Sequence, residues 1–285
     1  MSARATGGSA AIPVFPSDAR RCAYETPYRV FDDVFCIRAR NASPMAFEGT
    51  NTWIVHPAGA EACAVVDPGH DDEEHLVAIE GFVRSRGADI AEVVVTHAHP
   101  DHVAGVDSLV RSHGSRVLSK ADSTLDDGAV FLCGGEVRAH AISLPGHSSD
   151  SVALLLDDDR ALISGDIFFS RGWSVIPSPD GDLAAYFDTL SRIRALLERG
   201  VVGAVLPGHR EAMDASFALG RIDDYVEHRL KRLDEVRRAM GEIGSCDVEV
   251  VARHVYADVE DECLYEAAKM SLAAQIDYLN EKAPF

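Results

Sequence analysis

Apolar positions along the chain follow two rhythms. From residue 27 to residue 66 they form short runs bounded by turn residues. Residues 30–38 alternate loosely, 52–55 form a second run, and 63–66 a third that stops at Asp67-Pro68-Gly69. Residues 71–86 switch to a helical period, with Leu76, Ile79, Phe82 and Val83 on one face. A short buried-strand signal at 92–95 runs directly into a histidine-rich loop, and 103–113 again reads as helix. Strands are predicted at 116–118, 129–132, 136–144, 151–156 and 161–163. A helix over 183–199, ended by Gly200, and a final strand over 201–206 follow. Strands dominate first and then alternate with helices, twice over. This is the pattern of an α/β fold with sheets packed face to face and helices outside.

Past residue 216 the rhythm changes. Residues 222–240 read as a long charged helix, with two more at 248–256 and 262–279. The expected organisation is a catalytic body over residues 21–215 and a small helical appendage over 216–285, which could also pair two chains into a homodimer. Residues 1–20 read as a flexible leader without the apolar stretch of a secretory signal. No apolar run approaches the roughly 18–20 residues of a membrane span, so no membrane partner is expected.

Composition narrows the function classes. The 285 residues are 47% hydrophobic and 26% charged, which excludes a collagen-like, disulfide-dense or largely disordered chain. Asp and Glu number 46 against 27 Lys and Arg, a formal net charge of −19. Acids also outnumber bases from Arg221 onward, so a nucleic-acid partner is disfavoured. The six cysteines (Cys22, Cys36, Cys63, Cys133, Cys246, Cys263) are scattered without a C-x-x-C pair, which suits reduced thiols in a cytoplasmic protein.

The chemistry concentrates in Thr96-His97-Ala98-His99-Pro100-Asp101-His102, part of a chain with 12 histidines. His97 and His99 stand two apart in an extended segment, so both imidazoles point the same way. Asp101 and His102 fall where the loop turns into a helix and can present a second set of ligands beside the first. Imidazole and carboxylate suit zinc, iron or manganese. Four ligand-type residues within six positions suggest two ions rather than one. Three more candidates, His147, Asp166 and His209, each follow a glycine at or just past the end of an apolar strand.

The string from Thr96 to His102 resembles the T-H-x-H-x-D-H signature of the metallo-β-lactamase-fold hydrolases, and His147, Asp166 and His209 fall in that family's downstream order. The resemblance implies a four-layer αββα sandwich. It implies a first metal on His97, His99 and His147, a second on Asp101, His102 and His209, and Asp166 bridging both. Zinc is the first expectation for the two divalent ions, with iron or manganese as alternatives. Asp67 would hold a ligand histidine in orientation. Ser164-Gly165-Asp166 is similar to the corresponding stretch of glyoxalase II. Gly49-Thr50-Asn51-Thr52-Trp53 with the three C-terminal helices resembles a lactamase-like subgroup with a winged-helix-like appendage, which includes a mitochondrial endoribonuclease. The chain ends at Pro284-Phe285, directly after the last predicted helix, so the wing hairpin is expected to be short or absent.

The implied reaction is attack on a carbonyl by a hydroxide bridging the two ions, with Asp101 accepting the proton. The substrate is expected to be a small acyl compound: a thioester, ester or lactone. The alternatives are an endoribonuclease or other phosphodiesterase, a β-lactamase-like amide hydrolase, and iron redox chemistry of the persulfide dioxygenase kind. For substrate contacts, Phe168, Phe169 and Trp173 would either wall an acyl pocket or pack the appendage against the body. Arg229 and Arg232 belong to a basic stripe that would hold an anionic tail or simply face solvent.

Overall fold

The structure is a computed structural model that describes residues 23–282; the predicted leader over residues 1–20 and the terminal Pro284-Phe285 lie outside the described residues. Two six-stranded sheets form its centre. The first comprises β1 (Tyr28–Arg29), β2 (Val34–Arg38), β3 (Asn51–Val55), β4 (Ala62–Val66), β5 (Asp89–Val94) and β6 (Arg116–Leu118), in that spatial order. The second contains β7 (Val130–Cys133), β8 (Val137–Ser143), β9 (Val152–Leu156), β10 (Ala161–Gly165), β11 (Ala204–Pro207) and β12 (Met213–Asp214), again in sequence order across the sheet. Both are mixed. β4, β5 and β6 run parallel, as do β10 and β11, and the other neighbours are antiparallel.

The near-continuous apolar runs of these strands reflect burial on both faces. In β2, Val34 and Cys36 join the core between the sheets, while Phe35 and Ile37 point outward. Leu154, Leu156, Ile163 and Leu206 of the second sheet close that inner core. On the outer face of the first sheet, Phe35, Ile37, Ile54, Val65 and Val93 pack under Ile79 and Val83 of α1 (Glu73–Ser85) and Leu109 of α3 (Val106–His113). A one-turn helix, α2 (Pro100–Val103), precedes α3, so the helix expected over 103–113 is two segments.

The second sheet is covered by α4 (Leu183–Glu198) and by α5 (Ala215–Ile243), α6 (Val248–Val255) and α7 (Glu262–Lys282). One continuous apolar cluster joins Ile142, Leu155, Leu162 and Val205 of the sheet to Leu190 and Ile193 of α4, Ile222 and Leu233 of α5, Val251 of α6 and Leu272 and Ile276 of α7. The result is the expected αββα sandwich with C-terminal helices packed on it. Helix α5 starts directly after β12, where Asp214 caps it by accepting a hydrogen bond from Phe217 N. No strand follows Asp214 among the described residues. The two-residue strands β1 and β12 were not predicted, being too short to carry a period.

Candidate metal centre

The predicted ligands come from loops that leave the C-terminal ends of β5, β8, β10 and β11. Because β10 and β11 are parallel, Asp166 and His209 emerge at one edge of the second sheet. The β10–β11 pairing shifts register between Ile163 and Gly165, directly before Asp166. The two sheets are tied together there: Asn51 N donates to Gly208 O at 2.7 Å, and Val152 N to Thr96 O at 2.9 Å. Gly208 is required at this point, since a Cβ there would collide with Asp166 Oδ1 and lie 2.7 Å from His102 Cε1.

All seven residues converge in two groups. His97 Nε2 and His147 Nε2 each lie 3.0 Å from His99 Nδ1. Beside them, Asp166 presents Oδ1 at 3.4 Å from His102 Nε2 and Oδ2 at 3.2 Å from His209 Nε2, and so reaches both rings. Asp101 Oδ2 lies 3.2 Å from His209 Nε2 and 3.6 Å from His102 Nε2. Within each group the ligand atoms lie within 4.8 Å of one another. Two nitrogen ligands at about 2.1 Å on a tetrahedral ion stand roughly 3.4 Å apart, so both groups have the size of a cation site.

The imidazoles are oriented from behind. His147 Nδ1 donates to Val175 O at 2.6 Å, and His209 Nδ1 to Gly49 O at 3.1 Å. His102 Nδ1 donates to Asp67 Oδ2 at 2.9 Å. Thr96 Oγ1 donates to Asp67 Oδ2 at 2.6 Å and accepts from His97 Nδ1 at 3.0 Å. In each of these four rings the bonded nitrogen carries a proton, so Nε2 is the nitrogen aimed inward as the ligand atom. His102 Nε2, His209 Nε2 and Asp166 Oδ1 are buried without any hydrogen-bond partner. Buried polar atoms are left so only at a substantial energetic penalty, and cations fitted among them would remove it. The residues present therefore fit a pair of divalent ions.

Electrostatics separates the two groups. Burial holds the imidazoles of His97 and His147 below their ordinary pKa, with neighbouring histidines adding to the effect; His147 falls to about 4. Both stay neutral and free to donate a lone pair. In the second group burial acts the other way on the carboxylate, but His209 and His102 outweigh it and hold Asp166 well below the carboxylate range. Burial likewise opposes a charged His209, yet Asp166 and Asp101 lift it to about 9. This half attracts positive charge, and a cation bound there would displace the protons on His102 and His209 Nε2.

Four of the ligands, His99, Asp101, His147 and Asp166, floor a cavity of about 640 Å³. Its walls are apolar: Met45, Phe47, Phe169, Trp173 and Val175 on one side, and Leu264, Ala267, Ala268 and Met270 of α7 on the other. Tyr225 Oη anchors the backbone of the first wall, accepting from Phe169 N at 3.1 Å and Ser174 N at 3.0 Å. Four large apolar residues at this cavity, Met45, Trp173, Leu264 and Met270, are exposed at its mouth.

Of the predicted substrate contacts, Phe169 and Trp173 line this cavity and Phe168 does not. Phe168 is 0% exposed, turned into the core against Tyr225. The basic stripe is also not at the cavity. Arg229 is buried, donates to the Ser174 carbonyl and lies over the Tyr186 ring. Arg232 is paired with Glu235 and donates to Tyr256 Oη at 2.9 Å. Both guanidinium groups are occupied in packing the helices, so neither is placed to hold an anionic tail. Sequence reasoning missed the contribution of α7 and of Phe47. Helix α7 carries apolar residues on more than one side, and its pattern does not tell which of them faces a cavity.

The model of the metallo-beta-lactamase superfamily matches residues 45–125 and 113–209, more than half of the chain. Among curated proteins, the chain is 29% identical over 248 residues to a beta-lactamase-like protein 2 homolog from Caenorhabditis elegans, covering 81% of this chain and 78% of that one. It is 26% identical over 270 residues to an atrochrysone carboxyl ACP thioesterase from Paecilomyces divaricatus, covering 86% and 78%. Among solved structures, a beta-lactamase domain protein from Burkholderia ambifaria superposes with a TM-score of 0.74 at 21% identity, covering 94% of this chain and 91% of that chain. That likeness is one of fold.

Proposed function

The chain belongs to the metallo-β-lactamase superfamily, and from that premise we propose that it hydrolyses a thioester whose acyl group is large and apolar, using two divalent ions. The observation that carries this reading is the opening of a His/Asp ligand cluster directly onto an apolar cavity of about 640 Å³. The thioester is favoured over other esters by the similarity to an ACP thioesterase. Zinc is the first choice for an all-nitrogen and oxygen donor set, although iron and manganese accept the same ligands.

When bound, such an ion pair supplies Lewis acidity and makes hydroxide available from water near pH 7. The residues of the chain do the rest. Asp166 reaches across both halves and fixes their spacing. Asp101, with a side chain 22% exposed and at the cavity floor, is the carboxylate placed to accept a proton from the attacking water. Phe47, Phe169 and Trp173 exclude water from the acyl group and hold it against the floor. No serine is needed as a nucleophile: Ser148 and Ser151 bond each other at 2.6 Å within the turn after His147.

A phosphodiester substrate fits less well, because no Lys or Arg lines the cavity among the described residues. The test is a panel of aryl and long-chain acyl thioesters, lactones, a cephalosporin reporter and short RNA, assayed with metal content measured in parallel. Turnover of the bulky thioesters with two ions per chain is expected. Cleavage of RNA with inert thioesters, or one iron per chain with oxygen uptake, would overturn the reading.

A further inference from the structure

His75 is outside the ligand set, yet its side chain is 1% exposed and hydrogen-bonded at both ring nitrogens. Nδ1 lies 2.6 Å from Glu25 Oε2, on a carboxylate that is itself 8% exposed, and Nε2 lies 2.8 Å from Thr52 Oγ1. Thr52 Oγ1 in turn lies 2.7 Å from the carbonyl oxygen of Asp67. A carbonyl only accepts, so the single hydroxyl hydrogen of Thr52 goes to Asp67. His75 Nε2–H therefore donates to Thr52, and one more hydrogen lies between Nδ1 and Glu25. The chain of donors ends on a carboxylate, which makes its last bond charge-assisted. Glu25 is held in turn: its Oε1 accepts from Arg40 N at 2.8 Å.

Asp67 is where this chain of bonds matters. Its φ is +52, in the left-handed region that an ordinary residue occupies only when its surroundings impose it. Its carboxylate accepts from Thr96 N at 2.8 Å, from Thr96 Oγ1 and from His102 Nδ1. The His75 ring also lies under the turn that follows: a Cβ on Gly69, whose φ is +75, would stand 3.3 Å from His75 Cδ2 and Nε2. The turn is thus gripped from both sides, by Thr52 at its carbonyl and by the imidazole at its base.

We infer that Glu25, His75 and Thr52 are positioning residues that hold Asp67 in its left-handed conformation and thereby keep His102 Nε2 aimed into the second half of the metal centre. The inference rests on the two-ion reading above. It couples residues near the start of the described chain more directly to one ion than to the other, because Asp67 bonds His102 itself and reaches His97 only through Thr96. His97, His99 and His147 are not bonded to any of the three.

The test is chelator competition on zinc-loaded wild type, Thr52→Val, Thr52→Ser and His75→Gln, with thermal unfolding of the metal-free proteins followed alongside. Wild type is expected to release two ions. Thr52→Val and His75→Gln are expected to hold one of them about 10–100-fold more weakly, with the other weakened distinctly less. Thr52→Ser keeps the hydroxyl and should behave as wild type. Should Thr52→Val not fold, Glu25→Gln decides by the same measurement. Retention of both ions at wild-type affinity overturns the inference alone. Equal weakening of both ions also overturns it, since that is the mark of a general loosening. One ion per wild-type chain overturns the two-ion reading and the inference with it.

Discussion

The floor and the wall of the cavity are built by opposite means. On the floor, the imidazoles of His97, His102, His147 and His209 are each fixed by a hydrogen bond on the nitrogen facing away from the centre. The wall is made by packing: Phe47 meets Phe169 edge to face at 5.3 Å between centroids, and Trp173 stacks on His228 at 3.9 Å. On the α7 side, Leu264 and Met270 are partly in solvent. Bond-forming chemistry depends on placement to within about an ångström, whereas an apolar pocket mainly requires volume and exclusion of water. Changes to the floor should therefore act on metal content and kcat, and changes to the wall on KM and substrate choice.

The largest effect should come from Asp166→Ala, which removes the carboxylate shared by both halves of the floor. A loss of about 4 kcal/mol of transition-state stabilisation, or roughly a thousandfold in kcat, is expected, with fewer than two ions retained. Metal analysis together with single-turnover kinetics checks it; full rate with both ions in place would break the distinction between floor and wall. Gly208→Ala should act next. The added methyl would collide with Asp166 Oδ1, and Gly208 O accepts the bond from Asn51 N that ties the sheets together, so the backbone cannot retreat freely. A displacement of about an ångström at the ligands corresponds to roughly a hundredfold in kcat. The thermal midpoint of the metal-free protein separates this local effect from loss of the fold.

The same contrast explains what the sequence disclosed. The floor was legible because its ligands are local or punctuated. Four of them occupy 97–102, and each of the others follows a glycine at a strand end. The turn at Asp67-Pro68-Gly69 marked the residue that orients His102. The strands were legible because both faces of each sheet are covered, which leaves unbroken apolar runs. The wall was not legible in the same way. Phe168 and Phe169 are neighbours of one type, and only the local backbone decides that one turns into the core and the other into the cavity. Arg229 did carry a signal. Ile222, Tyr225, Arg229, Leu233 and Val236 recur at spacings of three and four, so the arginine sits on the buried face of α5 and not on an outer basic stripe. The closure of the cavity by α7 brings residues near 268 to the same cavity as residues near 47, a convergence that no local pattern encodes.

The smallest effect, and the one that sharpens the comparison most, should come from the wall. Ala268 faces the cavity from α7, with Ala267 and Ser271 beside it. These are small side chains beside the larger Leu264 and Met270 on the same helix, so they leave the space that a long acyl group would enter. Ala268→Phe fills that space without touching a ligand. For a long-chain acyl thioester the KM should rise about tenfold with kcat nearly unchanged, the signature of lost binding shared by ground and transition states. For an acetyl thioester both constants should stay at wild-type values, and both ions should be retained. Steady-state kinetics across an acyl-length series reads this directly. Equal loss for short and long substrates would mean that α7 supports the floor and not the pocket, and the division between a bonded floor and a packed wall would then fail on its α7 side.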